Sequence, residues 1–331
     1  MTIEATANGA GPAAPATLRE RLPGFVRIPH LGLVAVIVLV VAFAASRTDK
    51  FLTVTNLLNV SRQVAVVAVI AGGLTLLMTA GGMDFSMASI TGVGTAVAAR
   101  SIEGGVPIWQ AVALTLALAT ALGLVNGLVV TFTNVAPFVA TLATATLLDG
   151  VKLLVLGGFS ISIGLRLSWL GNGSLAGIPT LVVFAAVVLL AIGLAMRHTV
   201  FGRDAFAIGG NEDVARLSGI KVSRSKLVLY SLAGLLSGLA AIMLVSRLAA
   251  SSPETGGLTL QLEAVAAVVI GGTSLAGGKG TIVGTALGVI LLGIVGNVLN
   301  LLQISTYYHL VATGAVLLVA AIFNSLNRSR H

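Results

Sequence analysis

The chain contains no cysteine in 331 residues, which excludes a disulfide framework and any thiolate metal site. Charge is equally scarce. Only 9% of the residues are Asp, Glu, Lys or Arg, against roughly 25% in an average soluble domain. So few charges cannot cover a water-exposed globule, which argues against a soluble enzyme. Aromatic residues make up only 5%, and the four histidines, His30, His198, His309 and His331, are scattered. No metal site and no resident cofactor are therefore expected. What the chain does have is apolar bulk, 56% of residues, and 40 glycines, with a mean hydropathy of +1.05. That much apolar surface excludes disorder. Small residues interspersed with large apolar ones let membrane helices approach closely. The composition is that of an all-α, multi-pass protein of an inner membrane, in contact with lipid.

A membrane-crossing helix takes roughly 20 mostly apolar residues. Candidate spans are Leu31–Ala45, two within Val64–Ala99 separated at Gly81-Gly82-Met83-Asp84, Val112–Phe132, Phe138–Leu156 and Ile178–Met196. Beyond a polar stretch come Leu227–Val245, Leu262–Leu275, Ile282–Leu302 and Leu310–Phe323. This predicts about ten helices, within a range of eight to ten. Residues 1–29 read as a disordered tail, 30–325 as the membrane domain and 326–331 as a second short tail. Ala42-Phe43-Ala44 has the small-residue pattern of a signal cleavage site. The region before it is long and carries Glu4 and Glu20, so the first span reads as a retained helix.

Basic residues set the orientation of such a chain. With ten spans and an inside N-terminus, twelve Lys/Arg fall on the cytoplasmic side and five on the other. The cytoplasmic set includes Arg197, Arg203, Arg216, Lys221, Arg224, Lys226 and Lys279, and the outer set is Arg47, Lys50, Arg100, Arg166 and Arg247. Both termini are then cytoplasmic, and the net charge of +8 follows from topology without any role for nucleic acid. A faint internal echo also exists. Gly81-Gly82 precedes Gly94-Thr95-Ala96 at the spacing with which Gly271-Gly272 precedes Gly284-Thr285-Ala286, and glycine is common enough here for coincidence or duplication to produce it.

The longest polar segment, 197–226, contains Asn211-Glu212-Asp213-Val214-Ala215-Arg216-Leu217-Ser218-Gly219. Asn211 suits a helix N-cap, the two acids suit the positive end of the helix dipole, and Gly219 suits a left-handed C-cap. Val214 and Leu217, three apart, share one side. The sequence thus specifies a helix of about two turns after a pliant Gly209-Gly210. Its apolar side either rests on its own bundle or docks a partner.

These residues, with Phe201-Gly202-Arg203 and Ala207-Ile208-Gly209-Gly210-Asn211 before them, resemble the coupling loop of the ribose/xylose/galactose-type ABC importer permeases. Gly81-Gly82-Met83-Asp84-Phe85-Ser86-Met87-Ala88-Ser89 is similar to that family's Gly-Gly-x-Asp-Leu-Ser-Val-Gly-Ser signature. Asn126-Gly127 and Pro137-Phe138-Val139-Ala140-Thr141-Leu142 resemble its middle region. The run from Glu263 to Thr281 resembles its most specific block. The resemblance covers about Phe51 to Asn324, with departures at Phe85, Met87-Ala88, Asp149 and Val298. It implies the membrane subunit of an ATP-driven importer of a monosaccharide or related polyol. A second permease copy or a related chain would complete the path. ATP would be bound by separate cytoplasmic ATPase subunits, and a soluble substrate-binding protein would deliver the solute. Asn211, Val214, Ala215, Leu217, Ser218 and Gly219 would couple to the ATPase.

Polar residues inside the membrane are costly and usually functional. Gly81, Gly82, Asp84, Ser86, Asn126, Thr141 and Glu263 are candidates for the translocation path or for a helix break. Asp84 and Ser86 either face the path or cap the next helix, and Glu263 starts a span or lies at its outer mouth. Asp149 and Lys152 can neutralise each other near the outer interface. Asn126, Asn134, Asn297 and Asn300 can bond a sugar or join helices, and His309 sits beside Tyr307 and Tyr308 in an aromatic belt. Gly277-Gly278-Lys279-Gly280-Thr281 lacks the spacing of a phosphate-binding loop and reads as a tight turn. The alternative function is an ion-coupled secondary carrier. It would need paired membrane carboxylates, whereas Asp84, Asp149 and Glu263 are dispersed, and it leaves the loop helix without a task.

Overall fold

The structure, a computed structural model, describes residues 30–304 except 134, together with 308, 311, 314, 315 and 318. The two tails, most of the tenth expected span, and Asn134, Tyr307 and His309 lie outside the described residues. Within them the chain forms α1 (Leu31–Arg47), α2 (Val54–Thr79), α3 (Met87–Glu103), α4 (Ile108–Phe132), α5 (Pro137–Leu156), α6 (Ser168–Gly171) and α7 (Thr180–His198). Then follow α8 (Val200–Gly210), α9 (Glu212–Leu217), α10 (Val222–Leu248), α11 (Gly257–Ile270) and α12 (Ile282–Leu301). Four two-residue strands complete the description: β1 (Ile161–Ser162) pairs antiparallel with β4 (Ala250–Ser251), and β2 (Ser174–Leu175) with β3 (Ile178–Pro179).

Six helices, α2, α4, α5, α7, α10 and α12, are long and apolar enough to cross a membrane, and α1 and α11 are shorter apolar helices. The protein is thus an all-α polytopic membrane protein. The helix limits follow local chemistry. Thr53 and Thr281 cap α2 and α12 by accepting from the amides of Asn56 and Gly284, and Pro137 opens α5 where its missing N–H costs nothing. Several expected limits move: α2 begins at Val54, ahead of the run from Val64, and α10 at Val222 instead of Leu227. Helix α11 begins at Gly257, so Glu263 lies inside the helix instead of starting it.

The chain alternates between two ends. At one end lie the α2–α3 connection, the whole α8–α9 loop and the turn 271–281, where the Gly278 amide donates to the Thr79 carbonyl at 2.9 Å. At the other, β1 meets β4 and Arg166 donates to the Ile102 carbonyl. The two halves of the glycine echo share a geometry: both doublets close a helix, α2 or α11, that arrives at the first end.

Helices α2, α3 and α10 form the centre. Thirteen of the seventeen residues of α3 are buried, as expected of a helix surrounded by others. Helices α4 and α10 approach backbone to backbone. A Cβ on Gly123 would overlap the Tyr230 carbonyl oxygen, and one on Gly234 would overlap that of Ala119. Between apolar helices in lipid, this close van der Waals fit replaces the hydrophobic effect as the driving force. Side-chain hydrogen bonds add to it. Asn56 and Asn297 donate to each other's amide oxygens at 2.9 and 2.8 Å, and Thr75 meets Thr285 at 2.6 Å.

Replacing Gly234 with Leu should force α4 and α10 apart and cost about 1–3 kcal/mol. The expected result is a lower thermal midpoint for the detergent-purified chain. Gly32→Ala, with nothing within 4 Å of the new methyl, should leave that midpoint unchanged.

Candidate functional site

Two features meet at the α8–α9 end. The first is the interruption between α2 and α3. Residues 80–86 leave the helix, freeing backbone groups that hydrocarbon cannot satisfy. Three other helices satisfy them, and a fourth bonds the side chains of the break. Tyr230 of α10 donates its hydroxyl to the Met83 carbonyl at 3.0 Å, and Gln261 of α11 donates to the Asp84 carbonyl at 2.9 Å while accepting from the Ala88 amide at 2.9 Å. Thr141 of α5 accepts from the Phe85 amide at 3.1 Å. Asn126 of α4 donates to the Ser86 hydroxyl at 2.7 Å and accepts from Thr144 at 2.8 Å.

Asp84 sits inside this network. Its Oδ1 accepts from the Ser86 amide at 2.7 Å and the Ser86 hydroxyl at 2.6 Å, and Asn126 lies 3.5 Å from its Oδ2. Asp84, Ser86, Asn126, Thr141 and Gln261 are all buried, so these groups face protein. Phe85 and Phe138 close the site edge to face, with ring centroids 5.1 Å apart. The break thus draws together Gly81, Gly82, Asp84, Ser86, Asn126 and Thr141. Glu263 lies elsewhere, half-buried in α11. Gln261, Tyr230 and Thr144 were not singled out from the sequence, although a lone Gln in the apolar run Leu258–Ile270 was a readable sign. Lys152, expected at the interface, is buried. It bonds the Thr255 carbonyl at 3.2 Å and lies 3.5 Å from Asp149.

The second feature is the loop. It holds two helices where the sequence suggested one. Glycines at 202, 209 and 210 hid α8, which is stabilised by burial of Ala205 and Ile208 and by a Thr199 cap on the Gly202 amide. Gly209 acts as a contact point and not as a pliant lead-in. A Cβ there would overlap the Thr79 carbonyl oxygen and meet the Gly278 nitrogen at 2.6 Å.

Helix α9 follows as its capping residues dictate. Asn211 accepts from the Val214 amide at 3.1 Å, and Gly219 takes φ 86° just past the C-terminus. Ala215 faces inward onto Ile208 and Val222. Val214 and Leu217 face outward, 57% and 88% exposed. Glu212 is held by Lys226 at 2.7 Å and by Arg216 at 3.1 Å. The hydrogen bond from Lys226 keeps the Glu212 carboxyl below its ordinary value, partial burial opposes this, and the Lys226 and Arg216 charges reinforce it. No group of three or more His, Asp or Glu capable of holding a metal occurs among the described residues.

A bundle of apolar helices with a capped helix displaying two apolar side chains at one end defines a multi-pass membrane protein. Comparison with known sequences gives the family. Residues 56–321 match the family described as "Branched-chain amino acid transport system / permease component", and the chain belongs to it. The ribose import permease protein RbsC of Escherichia coli K12 is 41% identical over 298 residues, covering 88% of this chain and 92% of that one. The L-arabinose ABC transporter permease protein AraH of Azospirillum brasilense is 32% identical over 319 residues, covering 96% and 94%. The D-allose transport system permease protein AlsC of Escherichia coli K12 is 32% identical over 292 residues, covering 87% and 89%. No solved structure matches.

Asn126→Ala should remove the bonds to the Ser86 and Thr144 hydroxyls, leave the buried Asp84 Oδ2 without its partner and lower stability by about 1–3 kcal/mol, read as a fall in the thermal midpoint in detergent. The Glu212 pairing has a pH signature. Because its carboxyl is held low, its contribution is complete above the ordinary value of 4.5 and is lost as pH falls through the lowered one. Hydrogen exchange of the α9 amides, corrected for intrinsic rates, should stay constant through the neutral range and accelerate only in acid.

Proposed function

We propose that this chain is the membrane subunit of an ATP-driven importer and that it forms the path for a monosaccharide or related polyol. The outward display of Val214 and Leu217 on a capped helix carries the reading. A six-residue helix is too short to be stable alone, and this one is held in place from behind by Ala215 while its apolar side is left uncovered. That arrangement suits a helix seated in the groove of a cytoplasmic ATPase, with Asn211, Ser218 and Gly219 fixing its ends. The names of RbsC, AraH and AlsC support a pentose or hexose as the solute.

On this reading the α8–α9 end faces the cytoplasm, in keeping with the basic residues gathered there, and the described helices with a tenth beyond them make ten spans of a bacterial inner membrane. ATP is bound by the partner ATPases, and this chain has no ATPase site of its own. A soluble binding protein delivers solute at the opposite end, and a second permease, identical or related, completes the path. Asp84, Ser86, Asn126 and Thr141 then act mainly by holding the helix break.

Leu217→Asp places a charge where an apolar contact is required, and Gly219→Pro removes the left-handed C-cap. Both variants should insert normally, yet ATPase subunits should no longer co-purify and uptake of labelled ribose, arabinose or allose by cells should be lost. Uptake at the wild-type rate by both variants would refute the docking role.

A further inference from the structure

Helix α9 and the break at residues 80–86 are separated by a cavity of about 310 Å3, lined by Gly81, Gly82, Gly209, Glu212, Lys226 and Tyr230 among others. Side chains therefore do not pack α9 directly onto the break. The apolar contacts of α9, from Ala215 to Ile208 and Val222 with Ile220 beside them, reach α8 and the start of α10. What does span the gap is a line of polar contacts along α10. Glu212 of α9 accepts from Lys226 at 2.7 Å. Tyr230 stands four residues further along α10, on the same face, and donates to the Met83 carbonyl at 3.0 Å. Met83 immediately precedes Asp84, whose carboxylate accepts from the amide and hydroxyl of Ser86, the residue just before α3. The Tyr230 backbone is itself pressed against Gly123 of α4, the helix that supplies Asn126 to the same break.

We propose that Lys226 and Tyr230 are positioning residues that transmit displacement of α9 to the 80–86 break, so that the docking helix and the start of α3 shift together. The inference rests on the reading that α9 docks an ATPase. A displaced α9 pulls on Lys226 through Glu212. The 27-residue helix α10 carries this one turn to Tyr230, and the Tyr230 hydroxyl carries it to the peptide at Met83. The two contacts differ in kind. The Lys226 end is an ion pair with Glu212 at a partly exposed position, and the Tyr230 end is a neutral bond buried in the bundle. Charge at 226 and one oxygen atom at 230 are thus the separate requirements.

The test uses vesicles holding the whole complex: this chain, its ATPase subunits and the binding protein. ATP hydrolysis is measured together with accumulation of labelled ribose, arabinose and allose. Lys226→Met and Tyr230→Phe should each keep ATPase subunits bound and hydrolysing, while solute moved per ATP falls about fivefold or more. Lys226→Arg, which keeps the charge, should stay near wild type. The double variant should be no worse than the more impaired single variant, since both act on one line of contacts. Should Lys226→Met fail to accumulate in the membrane, Tyr230→Phe decides alone, because it removes a single atom from a helix otherwise unchanged. Solute per ATP at the wild-type level in Tyr230→Phe, with ATPases attached, overturns the relay. Failure of the docking reading is distinguishable: in that case Leu217→Asp retains its ATPase subunits.

Discussion

Hydrocarbon offers no partner to an unpaired backbone amide or carbonyl, and the architecture at the α8–α9 end is organised by that fact. The chain breaks between α2 and α3, and freed backbone groups there find partners on three other helices, Tyr230 on α10, Gln261 on α11 and Thr141 on α5, while Asn126 on α4 bonds the Ser86 hydroxyl. A single irregular segment thereby fixes the mutual position of four helices. Buried polar networks of this kind specify one arrangement over its near neighbours, because a slip by one residue leaves several groups unsatisfied at once.

The glycines complete the same picture from the apolar side. Helices α4 and α10 touch through Gly123 and Gly234, and α8 touches the end of α2 through Gly209. Close backbone contact gives membrane helices their main attraction, and α8 and the turn 271–281 meet the end of α2 in this way at Gly209, Gly278 and Thr79. An open volume lies between α9 and the break, where the α10 polar contacts cross it.

Much of this was legible from residue types. The apolar runs locate most of the long helices, because lipid selects composition directly, although α2 extends back to Val54 through the polar Asn56, Asn59, Ser61 and Arg62. The capped helix α9 was also readable, since Asn211, the acids after it and Gly219 are local signals. The direction in which Val214 and Leu217 face was not readable, because periodicity places them together without saying against what. Helix α8 was hidden for the opposite reason: its glycines oppose helix formation locally, and tertiary contact at Gly202 and Gly209 overrides them. Asp149 and Lys152 approach each other as their spacing predicts, but the burial of Lys152 was not readable, because the Thr255 carbonyl that draws it inward is 103 residues distant. Tyr230 was likewise invisible as a site residue, its partner being brought close only by the fold, whereas Gln261 stood out as a lone amide in an apolar run.

The central claim is that α9 serves an external motor. The most direct measurement is solute accumulation in sealed vesicles made with this chain alone, and again with its ATPase subunits and binding protein present. Accumulation of a labelled monosaccharide only in the full assembly, and only with hydrolysable ATP, is the result this account predicts. Uphill accumulation by the chain alone, driven by a proton or sodium gradient, would contradict it.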